Sequence, residues 1–173
     1  MDFWFAPENE RLWFKRDDAF DQRCAKALGD LQKQAATGAL TAWQETPEGC
    51  LALILLLDQA SRNLFRGGPQ AFANDPAAVA LARRMVQRGW DLRLAPDQRV
   101  FVYLPFEHSE DLCDQYLSVA LIGALPDLDY KPWAVAHLEI IERFGRFPHR
   151  NAALGRESTP EEQAYLDEPG SGF

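Results

Sequence analysis

Residues 48–65 read EGCLALILLLDQASRNLF, and this stretch constrains the fold more than any other. Every residue from 50 to 57 is apolar, so a helix here has no face to turn to water and must lie at the centre of the molecule. Thr46-Pro47 is a start signal. Threonine supplies a capping oxygen, and proline at the first helical position gives up an N–H that would have no intrahelical acceptor. Beyond Leu57 the helix turns polar, with Asp58 and Arg62 four apart on one side and Gln59 and Asn63 four apart on the adjoining side. These lines run back into Leu51 and Leu55, and into Ala52 and Leu56. The polar residues therefore extend a buried surface, and they must face a cavity or another polar element.

The rest of the chain supplies the surroundings. Phe3, Trp4, Phe5, Trp13 and Phe14 make an aromatic start, read as a lid on the core. Asp17 or Asp18 caps a helix whose apolar positions are Phe20, Cys24, Ala27, Leu28, Leu31 and Ala35, and Gly38 stops it. Asp75-Pro76 opens another, with Ala78, Leu81, Ala82, Met85 and Val86 inward. A third proline start, Pro96, leads to Arg99, Tyr103 and Glu107 at four-residue steps. Pro105 disfavours helical geometry at Leu104, so a break or kink is expected there. Ser109 is read as the cap of the following helix. A helix from Lys131 or Pro132 carries Trp133, His137, Ile140, Ile141 and Phe144 on one stripe and ends at Gly145. Thr159-Pro160-Glu161-Glu162 is a capping box before a short last helix. No period-two pattern or hairpin turn occurs. The expectation is an all-α fold, a single domain over 1–173, with about seven helices around a central buried helix 48–65.

Size and composition narrow the function. A chain of 173 residues buries roughly 70% of its unfolded surface and needs no metal or disulfide staple. Cys24, Cys50 and Cys113 are odd in number, far apart and set in apolar helical patterns, which makes them small hydrophobes. The start lacks a basic region before its aromatics, and the longest apolar run is too short for a bilayer, which needs about 20 residues. A cytoplasmic protein without membrane contact is expected. The net charge of −8 argues against nucleic acid, whose binders present basic surfaces.

Against that acidic background, residues 143–158, RFGRFPHRNAALGRES, hold Arg143, Arg146, Arg150 and Arg156 with His149 and Asn151, and no acid before Glu157. Cations crowded among phenylalanines, glycines and a proline require carboxylates from elsewhere in the fold or an anionic ligand, because guanidinium holds either in a bidentate fork.

Four strings, LLLDQ…RN (55–63), R-x-F-x-Y-x-P-F-x-H-S-E (99–110), F-G-R-F-P-H-R-N (144–151) and L-G-R-x-S-T (154–159), resemble the family called domain of unknown function 924. The aromatic start and the Phe173 end are similar to it as well, so the resemblance covers nearly the whole chain. It implies an all-α fold related to tetratricopeptide-like arrays, and it implies no activity. Ala60-Ser61 departs from the family pattern, in which Phe-Pro is expected. Without that proline a more regular helix is expected.

Three readings follow. In the first, Arg62, Arg146 and Arg150 hold the phosphate or carboxylate of a small metabolite, with Asn63 and Asn151 orienting it. Asp58, Arg99, Tyr103, Glu110 and His137 line the same pocket. If a reaction occurs there, His108 or His149 moves the proton and Glu107 or Asp58 fixes the tautomer. In the second, the charges form a structural network, with Asp58 and Glu107 or Glu110 paired to the arginines. In the third, the helices make a scaffold for a protein partner, a peptide or a second copy of the chain. A metal would have to draw on His108 and Glu110, two apart, joined by His137 and His149. No H-E-x-x-H accompanies them and the arginines would repel a cation, so no metal is expected. Gly67-Gly68 follows a helix and not a strand, so no phosphate loop exists, and no cofactor is expected.

Overall fold

The apolar helix lies where its composition demands. In a computed structural model that describes residues 1–126 and 128–171, it runs as three consecutive segments, Pro47–Ile54 in α geometry, Leu55–Ala60 in the wider π geometry and Ser61–Leu64 in α geometry again. Together they form α3 (47–64). Thr46 caps it by accepting from the Gly49 amide, and residues 53–61 are all buried.

Around α3 the described residues form seven further helices: α1 (Pro7–Glu10), α2 (Asp18–Ala36), α4 (Asp75–Gln87), α5 (Pro96–Glu107), α6 (Leu112–Gly123), α7 (Lys131–Phe144) and α8 (Pro160–Leu166). Short 3-10 turns link several of them, and no strand occurs among the described residues. Helices α2, α4 and α5 pack on α3, and α5, α6 and α7 then pack in sequence. The single-turn α1 is the one helix beyond the seven expected. Phe173 lies outside the described residues.

The aromatic start closes one end of the core. Trp4 is buried, and Trp4, Phe5 and Trp13 meet Phe101 of α5 edge-on, with ring centroids 4.8–5.7 Å apart. Asp17 caps α2, Gly145 ends α7 in the left-handed conformation, and Thr159 with Glu162 forms the capping box of α8.

Four local expectations are corrected. Pro105 does not end α5. Its missing N–H removes only the bond to the Phe101 carbonyl, and the His108 amide still reaches Leu104 O at 2.9 Å. The cap of α6 is Asp111, which accepts from Cys113 and Asp114, while the Ser109 hydroxyl donates to Asp114. Trp133 is 61% exposed, off the buried stripe of His137, Ile140 and Ile141. Finally, α3 is less regular than expected. Ser61 donates to Leu56 O five residues back at 3.3 Å and receives Gln32 Nε2 at 3.1 Å. That side chain helps hold the wide turn.

Candidate functional site

The π segment carries Asp58 into the interior, and everything polar nearby is arranged on its carboxylate. Oδ1 lies 2.8 Å from His108 Nδ1 and 2.9 Å from Arg62 Nη1, and Oδ2 accepts from Gln59 Nε2 at 2.7 Å. Burial alone would raise the pKa of Asp58, but the charges of Arg62 and His108 and the bonds from His108 and Gln59 outweigh it and hold it below the usual carboxylate range. The group is an anion at neutral pH.

Arg62 carries the network outward. Its two terminal nitrogens hold the Asp75 carboxylate at 2.9 and 3.0 Å. Arg150 reaches the same carboxylate from the 148–150 turn, with Nη1 3.3 Å from Oδ2. Its guanidinium lies between two rings, 4.8 Å from the centroid of Phe72 and 4.4 Å from that of Phe147. Burial, then the charge of Arg62, lowers its pKa to about 10. Arg62, Asp75, His108 and His149 keep partial exposure, so this side of the cluster opens to the surface.

On the inner side, the end of α5 meets α7. Glu107 is 4% exposed, and its carboxyl takes no hydrogen bond from the described residues; its ion-pair contact is His137 Nδ1 at 3.4 Å. Burial, with the neighbouring Asp58 charge, pushes the Glu107 pKa up to about 8. His137 donates Nδ1–H to the Trp133 carbonyl at 2.8 Å, and burial takes its pKa down to about 3. The His108 and His137 ring centroids are 6.1 Å apart. His149, its ring 5.5 Å from Phe147, is taken down to about 4 by burial and then by the charges of Arg150 and Arg62. For His108 the direction is also downward, from burial and Arg62. At neutral pH the cluster therefore holds neutral His137 and His149 and a protonated Glu107 beside two carboxylate–guanidinium pairs.

Six of the residues singled out from sequence meet here: Asp58, Arg62, Glu107, His108, His137 and Arg150, with His149 at the rim. The others go elsewhere. Asn63 donates to Asp21 on α2 at 2.7 Å, because it leaves α3 about 100° around the helix from Arg62. Arg99 and Tyr103 form a separate chain in which Tyr103 donates to Asp91 at 2.6 Å. Glu110 accepts from Arg156 at 2.8 and 3.0 Å and from the Phe147 amide at 2.8 Å. Arg146 grips Glu162 of α8 at 2.6 and 2.7 Å, and Asn151 donates to Ser158 and the same carboxylate. These contacts fasten α8 and the 146–158 segment to the body. Asp75 and Phe72 were missed, and Gln59 was read only as part of the polar patch of helix 48–65. Asp75 read as a helix start and nothing more, although it is the carboxylate that two arginines share. Phe72 lies in no motif.

Two cavities lie away from this cluster: a small, partly open and mainly apolar one of about 60 Å³ near Trp4 and Leu55, and a shallow depression of about 340 Å³ between α7 and α8. No helix among the described residues is long and apolar enough to cross a membrane.

The sequence model of a family described as "Bacterial protein of unknown function (DUF924)" matches residues 1–170. A search of the curated proteins gives no match. Among solved structures, the chain is similar to one titled "Structure of Protein of Unknown Function ATU0120 from Agrobacterium tumefaciens". The two share 44% identity and superpose with a TM-score of 0.89 over 95% of this chain and 93% of that one.

Proposed function

The chain belongs to the DUF924 family of bacterial proteins, and we propose that it binds a small anionic molecule, bearing a carboxylate or a phosphate, at the Arg62–Asp75–Arg150 side of the buried cluster. One observation carries this reading. Arg150 is 6% exposed, yet of its five N–H donors the described residues engage one, at 3.3 Å, and its Nε has no acceptor. A buried guanidinium left this short of acceptors costs stability that a structural ion pair would recover. Packing between Phe72 and Phe147 fixes its plane, which suits bidentate capture of an oxyanion. The remaining arginines of 143–158 are matched by Glu161, Glu162 and Glu110 and serve the fold. Any proton transfer to the bound molecule falls to His108 or His149, the imidazoles on the open side.

The test is a thermal-shift screen of phosphorylated metabolites and carboxylates on the parent and on Arg150→Met. A ligand present at a hundred times its Kd stabilises by about 2.7 kcal/mol, about 5–10 °C for a chain this size. Such a shift in the parent and none in the variant supports the site. Equal shifts in both, or none in the parent, count against it.

A second reading, a helical scaffold for a protein or peptide partner, draws on the depression lined by Ala136, Ile140, Phe144 and Tyr165. It is the weaker one, because Glu139 and Arg143 on the same lining break up its apolar surface.

A further inference from the structure

We infer that Glu107, His108 and His137 form a binding site for a first-row divalent metal ion. One donor atom from each residue lies within 4.8 Å of the other two, with Glu107 and His137 buried and His108 half-buried. Two imidazole nitrogens and a carboxylate oxygen are the donor set that takes zinc, ferrous iron or their neighbours, with positions left over for water or a substrate.

The second observation is what surrounds the donors. A metal-binding imidazole ordinarily has its other nitrogen fixed by a carboxylate or a backbone carbonyl, which selects the tautomer and sets the ring's angle. Both imidazoles have that support, and from the two usual kinds of group. His108 directs Nδ1 at the Asp58 carboxylate at 2.8 Å, and His137 directs Nδ1 at the Trp133 carbonyl at 2.8 Å. A carbonyl only accepts, so His137 carries its hydrogen on Nδ1 and its lone pair on Nε2. The Asp58 carboxylate, which also takes Arg62 and Gln59, accepts the corresponding hydrogen from His108 Nδ1. Glu107, for its part, is a buried carboxyl that no described residue hydrogen-bonds. A cation would satisfy it.

Charge does not exclude a cation. Arg62 and Arg150 stand nearby, but Asp58 and Asp75 pair with them, which leaves the surroundings near neutral before Glu107 ionises. Metal bonds of 2.0–2.2 Å bring donors to about 3.5 Å of one another, so the three must close in by roughly 1 Å. A rotation of the Glu107 side chain is the smallest movement that does so. This site adjoins the proposed anion site without depending on it. With a metal on His108, His149 remains for proton transfer.

The experiment is calorimetric titration of the chelator-stripped, full-length protein with zinc chloride, and separately with cobalt chloride. A Cys113→Ser background keeps the exposed thiol from competing. The expected result is one equivalent bound, with affinity lowered at least tenfold by Glu107→Gln and by His137→Gln. Asp58→Asn, which removes the charge that supports His108 and pairs with Arg62, is expected to weaken binding 10–100-fold, and Lys26→Gln, on the exposed side of α2, to leave it unchanged. Circular dichroism establishes that each variant is folded; where one is not, the remaining variant of Glu107 or His137 decides. Absence of binding at millimolar metal overturns the inference, and so does parent-like affinity in folded Glu107→Gln and His137→Gln. Anion shifts measured with chelator present are independent of either outcome.

Discussion

His108 Nδ1 lies 2.8 Å from Oδ1 of Asp58, fifty residues away in the chain, and this contact ties the end of α5 to the π segment of α3. The same oxygen takes Arg62 at 2.9 Å. Asp58→Ala would leave His108 and the Asp58-facing side of Arg62 without their anion in a buried setting. Losing one member of a buried pair costs about 3–5 kcal/mol, and the lower end is expected because Arg62 retains Asp75. Urea unfolding of the parent and the variant measures it. A loss under 1 kcal/mol would mean that the network is not what holds α5 to α3.

Stability should depend on pH with a maximum near the unperturbed histidine value of about 6.5. His137 and His149 have folded pKa values of about 3 and about 4, so on acidification below 6.5 the unfolded chain takes up protons first and stability falls. Glu107 acts in the other direction. Its folded pKa of about 8 lies above the ordinary 4.5, so its contribution is fully present below about 4.5 and is lost as pH rises to about 8. Below 6.5 these two imidazoles, with His108 shifted in the same direction, outweigh the one carboxyl; above it the decline from Glu107 remains. With chelator present, urea midpoints should therefore decline from pH 6.5 to 8 in the parent and stay level in Glu107→Gln. A decline of the same size in the variant would assign it to another group.

Ser61 is buried, accepts from Gln32 and donates to Leu56 O. Ser61→Ala strands the Gln32 amide in the interior, at a cost of about 1–3 kcal/mol. Thermal unfolding measures it, and a variant as stable as the parent would show that the hydroxyl is not needed to keep the wide turn.

Arg146 works at the other end of the molecule, where its fork on Glu162 helps hold the carboxylate's pKa down to about 2 and fastens α8. Arg146→Ala should raise amide exchange across residues 160–166 and leave α3 and α5 unchanged. Exchange that rises uniformly would contradict a local clamp.

The sequence made the helices legible because their signals are local: proline starts at 47, 76, 96, 132 and 160, the Thr46 and Thr159 caps, and the stop at Gly145. It also brought six members of the cluster to attention, because charged residues on the extension of an apolar stripe have nowhere dry to go without one another. What it hid was pairing. Whether Arg146 meets Asp58 or Glu162 depends on how the chain turns after Gly145, and nothing in the spacing distinguishes the two. Asp75 was hidden for a different reason, since an acid before proline already has an adequate explanation as a helix start. The π turn was invisible because the lack of proline at 61 argued for regularity, whereas the Ser61 hydroxyl bonds across the wide turn.

The most direct measurement is the Nε–H resonance of Arg150 by nitrogen-edited NMR during titration with the strongest anion from the screen. A bidentate ligand should move this signal in step with binding, while the Arg146 Nε–H signal, already held by Glu162, stays in place. An Arg150 signal that does not move while the anion binds would place the ligand elsewhere and contradict the account.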